Sequence, residues 1–339
     1  MPPLFHSERH MSKRFKGQSA KVSVSLNFNA QTDTLVDKAV QYCLRTGSSL
    51  RLVHVCEPYS ASAWSTMMAG EMVLTDMLDI ALEKAKAAAA AKLFDISRRF
   101  DGKLPMTSAI LIGLAAEMII ADAQANNVSL IMVGASQQSH RFIPRGMSVA
   151  LSLMGNSPIP VMVLTEGETL NFSKDRLKLL ISDDLREQSR SAVTGACDLA
   201  FALGRADVKH FHVNGITVDT LRAALEFATT ASHSSSGAAF SAESVHQTTV
   251  KQLEQKLASR AGDSVKNLLA IGAKYENELV TAPSVTESVG KLAADWDADI
   301  ICFGRHHTVH RKPFLIGQLP FYSMLSIKRP LVIFPDDAP

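Results

Sequence analysis

The sequence predicts an α/β fold in which one domain of alternating strands and helices occurs twice. The clearest observation is a repeat at an offset of 170 residues: the apolar run 130–133 ends at Gly134, and the run 300–303 ends at Gly304. A His-Arg pair follows each of these glycines at the same spacing. The apolar runs are short and nearly unbroken, as in parallel strands that helices cover on both faces. A repeat this long indicates two copies of a domain and not a solenoid of short units.

Five apolar runs and four helical patterns make up the first copy. The predicted strands are 22–26, 50–55, 108–112, 130–133 and 161–164. The predicted helices are 32–45, a long helix that includes 77–91, 115–126 and 148–154. The alanine run 87–91 reflects high helix propensity and not low complexity.

The second copy repeats this order. Its predicted strands are 177–181, 208–213, 276–280, 300–303 and 331–334. Its predicted helices are 188–203, 250–269, 285–296 and 320–326. The stretch 232–244 is rich in Ser and Ala, and we interpret it as a flexible crossover.

These patterns set the domain boundaries. We assign a flexible basic tail to residues 1–19, a first domain to 20–166, a polar linker to 167–175 and a second domain to 176–336. The tail has no apolar segment of the kind found in a secretory signal. Each half is long enough to bury a core of its own.

Composition excludes several classes of partner. A net charge of +2 gives neither a nucleic-acid footprint nor a strong attraction to membranes. No apolar run approaches the ~20 residues of a membrane span. The four cysteines form no C-x-x-C pair and lie within apolar elements, which favours free thiols in a reducing compartment. We therefore expect a cytoplasmic protein without nucleic-acid or membrane partners.

Candidate ligand residues follow the strands. In open parallel sheets, ligands bind beyond the carboxyl ends of the strands, where the strand order reverses. The residues at these positions are Asn27, 55–57 and Gly134 in the first half, and Asp184, Val213, Asn214 and Gly304 in the second.

At these residues the chain resembles the universal stress protein family in its tandem form, over about residues 20–336. Residues 53–55 and 211–213 match the family's Leu-His-Val signature at the end of the second strand. Nucleotide-binding members carry an acidic residue after the first strand. Asp184 matches that acid in the second half, and Asn27 occupies the equivalent place in the first.

The family's loop after the fourth strand has the pattern G-x2-G-x9-G-[ST]. The corresponding residues of the second half are Gly304, His307, Gly317 and Gln318. Those of the first half are Gly134, Gln137, Gly146 and Ser148, with a spacing one residue shorter. His307 and Gln137 thus stand where the family has its second Gly.

The resemblance implies two Rossmann-like (adenine nucleotide alpha hydrolase-like) domains, each a five-stranded parallel sheet with helices on both faces. It implies that strands 161–164 and 331–334 pack the halves as an internal pseudo-dimer, and a homodimer of chains is a further expectation. It also implies ATP or another adenine nucleotide, with Mg, as ligand. The nucleotide-binding candidates are Asp184, Val213, Gly304, His307, Arg311, Gly317 and Gln318, and the degenerate first-half site comprises Asn27, Val55, Gly134, Gln137, Arg141, Gly146 and Ser148.

Physical chemistry gives these residues both binding and structural interpretations. A Gly lets backbone approach a ligand, and helix N-terminal N–H groups attract phosphate. Ser148 is placed to cap its helix, and Pro320 suits a first helical turn. Equally, the two loop glycines would permit tight turns, Asn27 would serve a turn, and Gln137 and His307 would fill the pockets.

Metal and catalytic interpretations are less favoured. His210, His212, His306, His307 and His310 suggest zinc, but three or four ligands must converge for a site, and we expect no metal. No nucleophile elbow, H-E-x-x-H or Walker A sequence is present. The expected function is a stress response through ligand or partner binding without turnover. The alternatives are an interaction protein with both pockets closed and a weak ATPase.

Overall fold

A computed structural model describes residues 14–57, 74–135, 148–165, 167, 170–231, 241–305 and 318–336. The strands in these ranges are β1 (Lys21–Ser25), β2 (Ser49–Cys56), β3 (Met106–Ile112), β4 (Leu130–Ala135), β5 (Val161–Thr165), β6 (Leu177–Ser182), β7 (Ala206–Asn214), β8 (Tyr275–Thr281), β9 (Ile300–Gly304) and β10 (Leu331–Phe334). The helices are α1 (Thr32–Thr46), α2 (Leu74–Arg99), α3 (Ala115–Ala125), α4 (Val149–Asn156), α5 (Arg190–Ala202), α6 (Val218–Ala231), α7 (Ala242–Arg260), α8 (Asp263–Ala270), α9 (Val285–Asp295) and α10 (Gln318–Ser326).

All ten strands lie in one sheet, in the order β3-β2-β1-β4-β5-β10-β9-β6-β7-β8. Each half contributes five parallel strands in the same internal order, which confirms the predicted fold class. The halves meet at β5 and β10, which pair antiparallel with Met162 opposite Val332. The fifth strands therefore join the two sheets through backbone hydrogen bonds.

Two layers of core cover the two faces of this sheet. Strand side chains alternate between them, so that Leu130 and Met132 belong to one core while Ile131 and Val133 belong to the other. Both cores contain strand residues from β5 and from β10, and each includes helices of both halves. Each half was expected to bury a core of its own, but the two cores run continuously through the junction.

An arginine of the first half fastens the linker. Arg45, in the last turn of α1, donates from Nη1 to the carbonyl of Phe172 (2.7 Å) and to that of Lys174, and from Nη2 to that of Asp175 (3.1 Å). Its Nε donates to the carbonyl of Leu203, just after α5 (2.5 Å). One side chain thus connects α1, the linker and the second half.

The end of the basic tail packs on the core, and the structure differs there from the expected flexible tail. Phe15 is buried and meets the ring of Phe334 edge-on, with centroids 6.5 Å apart. Its carbonyl accepts a hydrogen bond from Ser48 Oγ, and Lys16 lies over the ring of Phe201. Residues 14–19 therefore bridge the halves because Phe15 fills a space between them.

The crossover of the second half also differs from the sequence prediction. Helix α6 was not expected, and the single helix 250–269 is instead α7 and α8, separated at Gly262, whose φ is +51°. Residues 241–244 of the predicted flexible crossover begin α7, because Ser241 Oγ accepts the N-cap hydrogen bond of Ser244. Residues 232–240 lie outside the described residues.

Asp198 gives the fold a testable pH dependence. Burial in α5 raises its pKa to about 6, and Arg14 of the tail acts in the opposite direction. This folded-state pKa exceeds the ordinary value of 3.8. The stability that protonated Asp198 contributes is therefore full below pH 3.8 and is lost as pH rises through 6. We predict that the free energy of unfolding falls between pH 5 and pH 8 by about 1–1.5 kcal/mol more in the wild type than in Asp198→Asn. Urea unfolding of both proteins at both pH values measures this, and an identical pH dependence would contradict it.

Candidate functional site

The strand order reverses once in each half, at β1 and at β6, and we call the carboxyl strand ends there the first-half and second-half crevices. In the second half, β6 is flanked by β7 and β9, so the strand order reverses at β6. This second-half crevice brings together Asp184, Val213 and Gly304, which follow or end the three adjacent strands. The first-half crevice, formed by β1, β2 and β4, brings together Asn27, Val55 and Gly134 in the same arrangement.

Strand register fixes which residues of the halves correspond. Ser25 pairs with Val53 on β2, and Ser182 pairs with Phe211 on β7. The next residues continue the pattern, because the N–H of Leu26 donates to Val53 and that of Asp183 donates to Phe211. Leu26 therefore corresponds to Asp183, and Asn27 corresponds to Asp184, as the sequence comparison indicated.

The turn after the first strand is built alike in both halves. Phe28 and Leu185 both adopt positive φ, at 54° and 60°. His54 Nδ1 lies 2.8 Å from the carbonyl of Leu26, and His212 Nδ1 lies 2.8 Å from that of Asp183. The repeated histidine of the Leu-His-Val signature thus holds the turn, which agrees with a structural role for it.

Close packing favours a glycine at position 304, whereas position 134 has room for a Cβ. A Cβ on Gly304 would lie 3.2 Å from Ala192 Cβ and 3.4 Å from Ser189 Cβ, and a Cβ on Gly134 would lie 3.5 Å from Gln31 Oε1. Neither glycine has positive φ. The first helix of each half therefore starts directly against the end of the fourth strand.

Asp184 is held by its own loop. Its Oδ1 accepts hydrogen bonds from the N–H of Arg186 (3.0 Å) and from Ser189 Oγ (2.7 Å), and its Oδ2 lies 3.2 Å from Arg186 Nε. Its side chain is 33% exposed. Because Ser189 also touches the Gly304 position, it connects the candidate carboxylate to the loop glycine.

The first-half candidates have weaker anchoring. Asn27 is exposed, and its Oδ1 accepts from the N–H of Asn29 at 3.4 Å, which is a local turn contact. Ser148 occupies the N-cap position of α4, but its hydroxyl makes no capping hydrogen bond, so the expected cap is wrong in that respect. Val55 is half-buried, whereas Val213 is buried.

Several predicted loop residues lie outside the described residues. They are Gln137, Arg141, Gly146, His306, His307, His310, Arg311 and Gly317. Gln318 begins α10, two residues before the predicted start of that helix, and Pro320 is its third residue. Within the described ranges, no three His, Cys, Asp or Glu side chains converge as metal ligands.

Sequence reasoning missed a buried polar group beside Asp184. We call it the Asp183 cluster; it comprises Asp183, His210, Tyr275 and Arg260. Asp183 Oδ2 accepts from His210 Nε2 (3.1 Å) and Arg260 Nε (3.0 Å), and His210 Nδ1 lies 2.7 Å from the Tyr275 hydroxyl. The side chains of Asp183 and His210 are fully buried, and that of Arg260 is 4% exposed.

Burial and hydrogen bonding set the charges of this cluster. Burial alone would raise the pKa of Asp183, but hydrogen bonds from His210 and Arg260 outweigh it and hold that pKa well below its usual range. Burial raises the pKa of Tyr275, with Cys197 and Asp183 adding to the shift. Tyr275 therefore stays protonated, and Asp183 stays ionised.

The first half has apolar residues at the equivalent positions. Leu52 pairs with Val24 in the first half, and His210 pairs with Ile181 in the second. Leu52 therefore occupies the position of His210. The strand register likewise places Met106 where the second half has Tyr275. Together with Leu26 in place of Asp183, these side chains pack in the hydrophobic core. The sequence signal that could have revealed the cluster is this exchange of apolar for ionisable residues between the two copies.

Comparisons with known proteins agree with this architecture. Residues 20–165 match the model of the universal stress protein family. A universal stress protein structure from Archaeoglobus fulgidus superposes with a TM-score of 0.58 at 12% identity, over 95% of this chain and 98% of that one. A candidate universal stress protein from Pseudomonas aeruginosa gives 0.55 at 13% identity, over 96% and 95%. At these identities the structural likeness shows the fold. No curated protein sequence matches the chain.

The described helices also bear on membranes. None of them is both long and apolar enough to cross a bilayer.

The Asp183 cluster predicts an asymmetric response to substitution. Arg260→Met leaves a buried carboxylate without its cation, and we expect a loss of about 3–5 kcal/mol in unfolding free energy. Replacing the whole cluster with its first-half counterparts (Asp183→Leu, His210→Leu and Tyr275→Met, with Arg260→Met) should restore stability to about the wild-type value, because buried ion clusters give little net stabilisation over apolar packing. Denaturant unfolding of both variants measures this. Equal destabilisation of the two would show that the cluster itself stabilises the fold.

Proposed function

We propose that the chain is a tandem universal stress protein that binds a ligand without turning it over, because residues 20–165 match the model of that family. The second half repeats the strand order of the first, which supports the tandem assignment. The match to the universal stress protein family supports a role in the stress response. The buried, unpaired thiols of all four cysteines are consistent with action in the cytoplasm.

The ligand we propose is an adenine nucleotide in the second-half crevice. The observation that carries this proposal is Asp184, a partly exposed carboxylate at the carboxyl end of β6 that Ser189 and Arg186 hold in place. A carboxylate here can accept hydrogen bonds from ribose hydroxyls. Val213 and Gly304 border the same crevice. In the proposal, His307, Arg311, Gly317 and Gln318 of the following loop contact base and phosphates, with Mg as counterion.

The first-half crevice is proposed to be degenerate. It has the neutral amide of Asn27 where the second half has a carboxylate, and that amide is exposed and bonded within its own turn. Gln31 reaches the Gly134 position with its amide oxygen, and its Nε2 is buried without a hydrogen-bond partner. We propose weaker binding or a different ligand here, involving Gln137, Arg141, Gly146 and Ser148 of the loop.

Binding without turnover is supported by where the ionisable groups lie. The His210–Asp183 pair resembles a base and its orienting acid, but both side chains are fully buried and cannot touch a substrate. The next experiment must therefore distinguish nucleotide binding without turnover from two alternatives, a weak ATPase and an interaction protein with both pockets closed.

We predict that the wild-type chain binds one Mg-ATP and that Asp184→Ala weakens this binding about 10- to 100-fold, the effect of losing a hydrogen-bonded charge. The matched control is Asn27→Ala, at the equivalent first-half position, which should leave the affinity unchanged. Isothermal titration with native mass spectrometry gives affinity and stoichiometry, and phosphate release gives turnover.

Each contrary outcome has a distinct meaning. Equal weakening by both substitutions would contradict the second-half assignment. Turnover that Asp184→Ala abolishes would favour the ATPase. If the wild type binds no nucleotide but His307→Gly does, the pocket is closed by that side chain and the chain acts through partners.

A further inference from the structure

Arg260 ties the crossover helix of the second half to the loop that carries Asp184. It is the last residue of α7, and its Nη2 donates to Ser189 Oγ at 2.7 Å and to the carbonyl of Arg186. The same guanidinium pairs with Asp183 at 3.0 Å and with Glu187 at 3.4 Å. One side chain therefore contacts the loop 183–189 at four residues.

Ser189 passes this restraint to the crevice. Its hydroxyl lies 2.7 Å from Arg260 Nη2 and 2.7 Å from Asp184 Oδ1, and its Cβ stands against the Gly304 position. Arg260 reaches Asp184 through Ser189, whose hydroxyl is hydrogen-bonded to both side chains. This makes Arg260 a positioning residue and not a binding one.

The turn after the first strand forms without the Asp183 cluster. The first half makes the same turn, with the same positive φ and the same histidine contact, using Leu26 in place of Asp183. Its crossover helix α2 places Leu93 and Ile96 in the core. A buried ionised cluster is costly to desolvate, and such clusters are retained where a defined geometry is needed.

Few side chains of helix α7 are buried. Of its 19 residues, three are buried: Ala242, Leu257 and Arg260. Elements with few buried side chains open at low free energy, and Arg260 is one of the two buried side chains near the end of this helix. Docking of α7 and order in the loop 183–189 are then linked through one guanidinium.

We propose that Arg260 positions the second-half crevice, so that ligand binding there and docking of α7 are reciprocally coupled. The coupling to nucleotide rests on the proposed function, whereas the ordering of the loop does not. A ligand that binds only when the loop 183–189 is ordered also stabilises the docked position of α7. Release of α7 therefore lowers the affinity for the ligand by the same factor. The crossover helix thereby makes the second-half crevice adjustable, whereas the described residues of the first-half crevice form no such cluster.

The test compares hydrogen exchange and Mg-ATP affinity in four proteins. They are the wild type, the four-residue apolar variant defined above, Arg260→Lys and Arg99→Met. Arg260→Lys keeps a cation near Asp183 but cannot reach all four loop partners, and it serves if the apolar variant does not fold. Arg99→Met is the matched control, because Arg99 ends α2 and pairs with Asp33 and Asp37 at the surface of the first half.

We expect the apolar variant to melt within a few degrees of the wild type, yet to exchange the amides of 183–189 about tenfold faster and to bind Mg-ATP about tenfold more weakly. Arg260→Lys should show the same changes to a smaller extent, and Arg99→Met should show none. Saturating Mg-ATP should slow exchange in α7 of the wild type but not of the apolar variant.

Other outcomes would overturn the proposal in separable ways. Unchanged loop exchange in a folded apolar variant would show that Arg260 positions nothing. Faster loop exchange with unchanged Mg-ATP affinity, or ligand protection that stops short of α7, would refute the coupling. If the wild type binds no Mg-ATP, the proposed function fails, and loop exchange alone still decides whether Arg260 orders the loop.

Discussion

The antiparallel pairing of β5 with β10 is the constraint on which the rest of the structure depends. It merges two five-stranded parallel sheets into one sheet and lets both cores run across the junction. The strands run parallel within each half, but the strands of one half run antiparallel to those of the other. The carboxyl ends of the strands in the two halves therefore lie at opposite ends of the sheet along the strand direction. The two crevices therefore cannot share a ligand, and each depends on its own residues.

Those residues have diverged on a common backbone. The turn after the first strand keeps its conformation in both copies, while its inward residue is Leu26 in one and Asp183 in the other. Around Asp183, the second half has assembled His210, Tyr275 and Arg260 in place of apolar packing. Such a cluster is expected to give little net stabilisation over apolar packing, and its contacts lie on the loop beside a candidate ligand carboxylate. The difference between the halves is thus more informative than their similarity.

The sequence predicts the strands well because buried parallel strands are short apolar runs between turns, and the observed bounds differ from the predicted ones by at most two residues. It also locates Asp184, Val213 and Gly304, since each follows or ends a predicted strand. The sequence prediction lacks α6, although 218–231 has apolar residues at helical spacing, and it lacks the break at Gly262, because a single Gly can lie within a continuous helix. Arg260 lies 77 residues from Asp183, and its role appears only when α7 is docked.

The most direct test of the account is a crystal structure of the chain grown with Mg-ATP. The account predicts nucleotide at one site per chain, in the second-half crevice, with the ribose beside Asp184 and the adenine near Val213. It also predicts that Ser189 still bridges Asp184 and Arg260 in that complex. Nucleotide beside Asn27 in the first-half crevice, with the second-half crevice empty, would contradict the account.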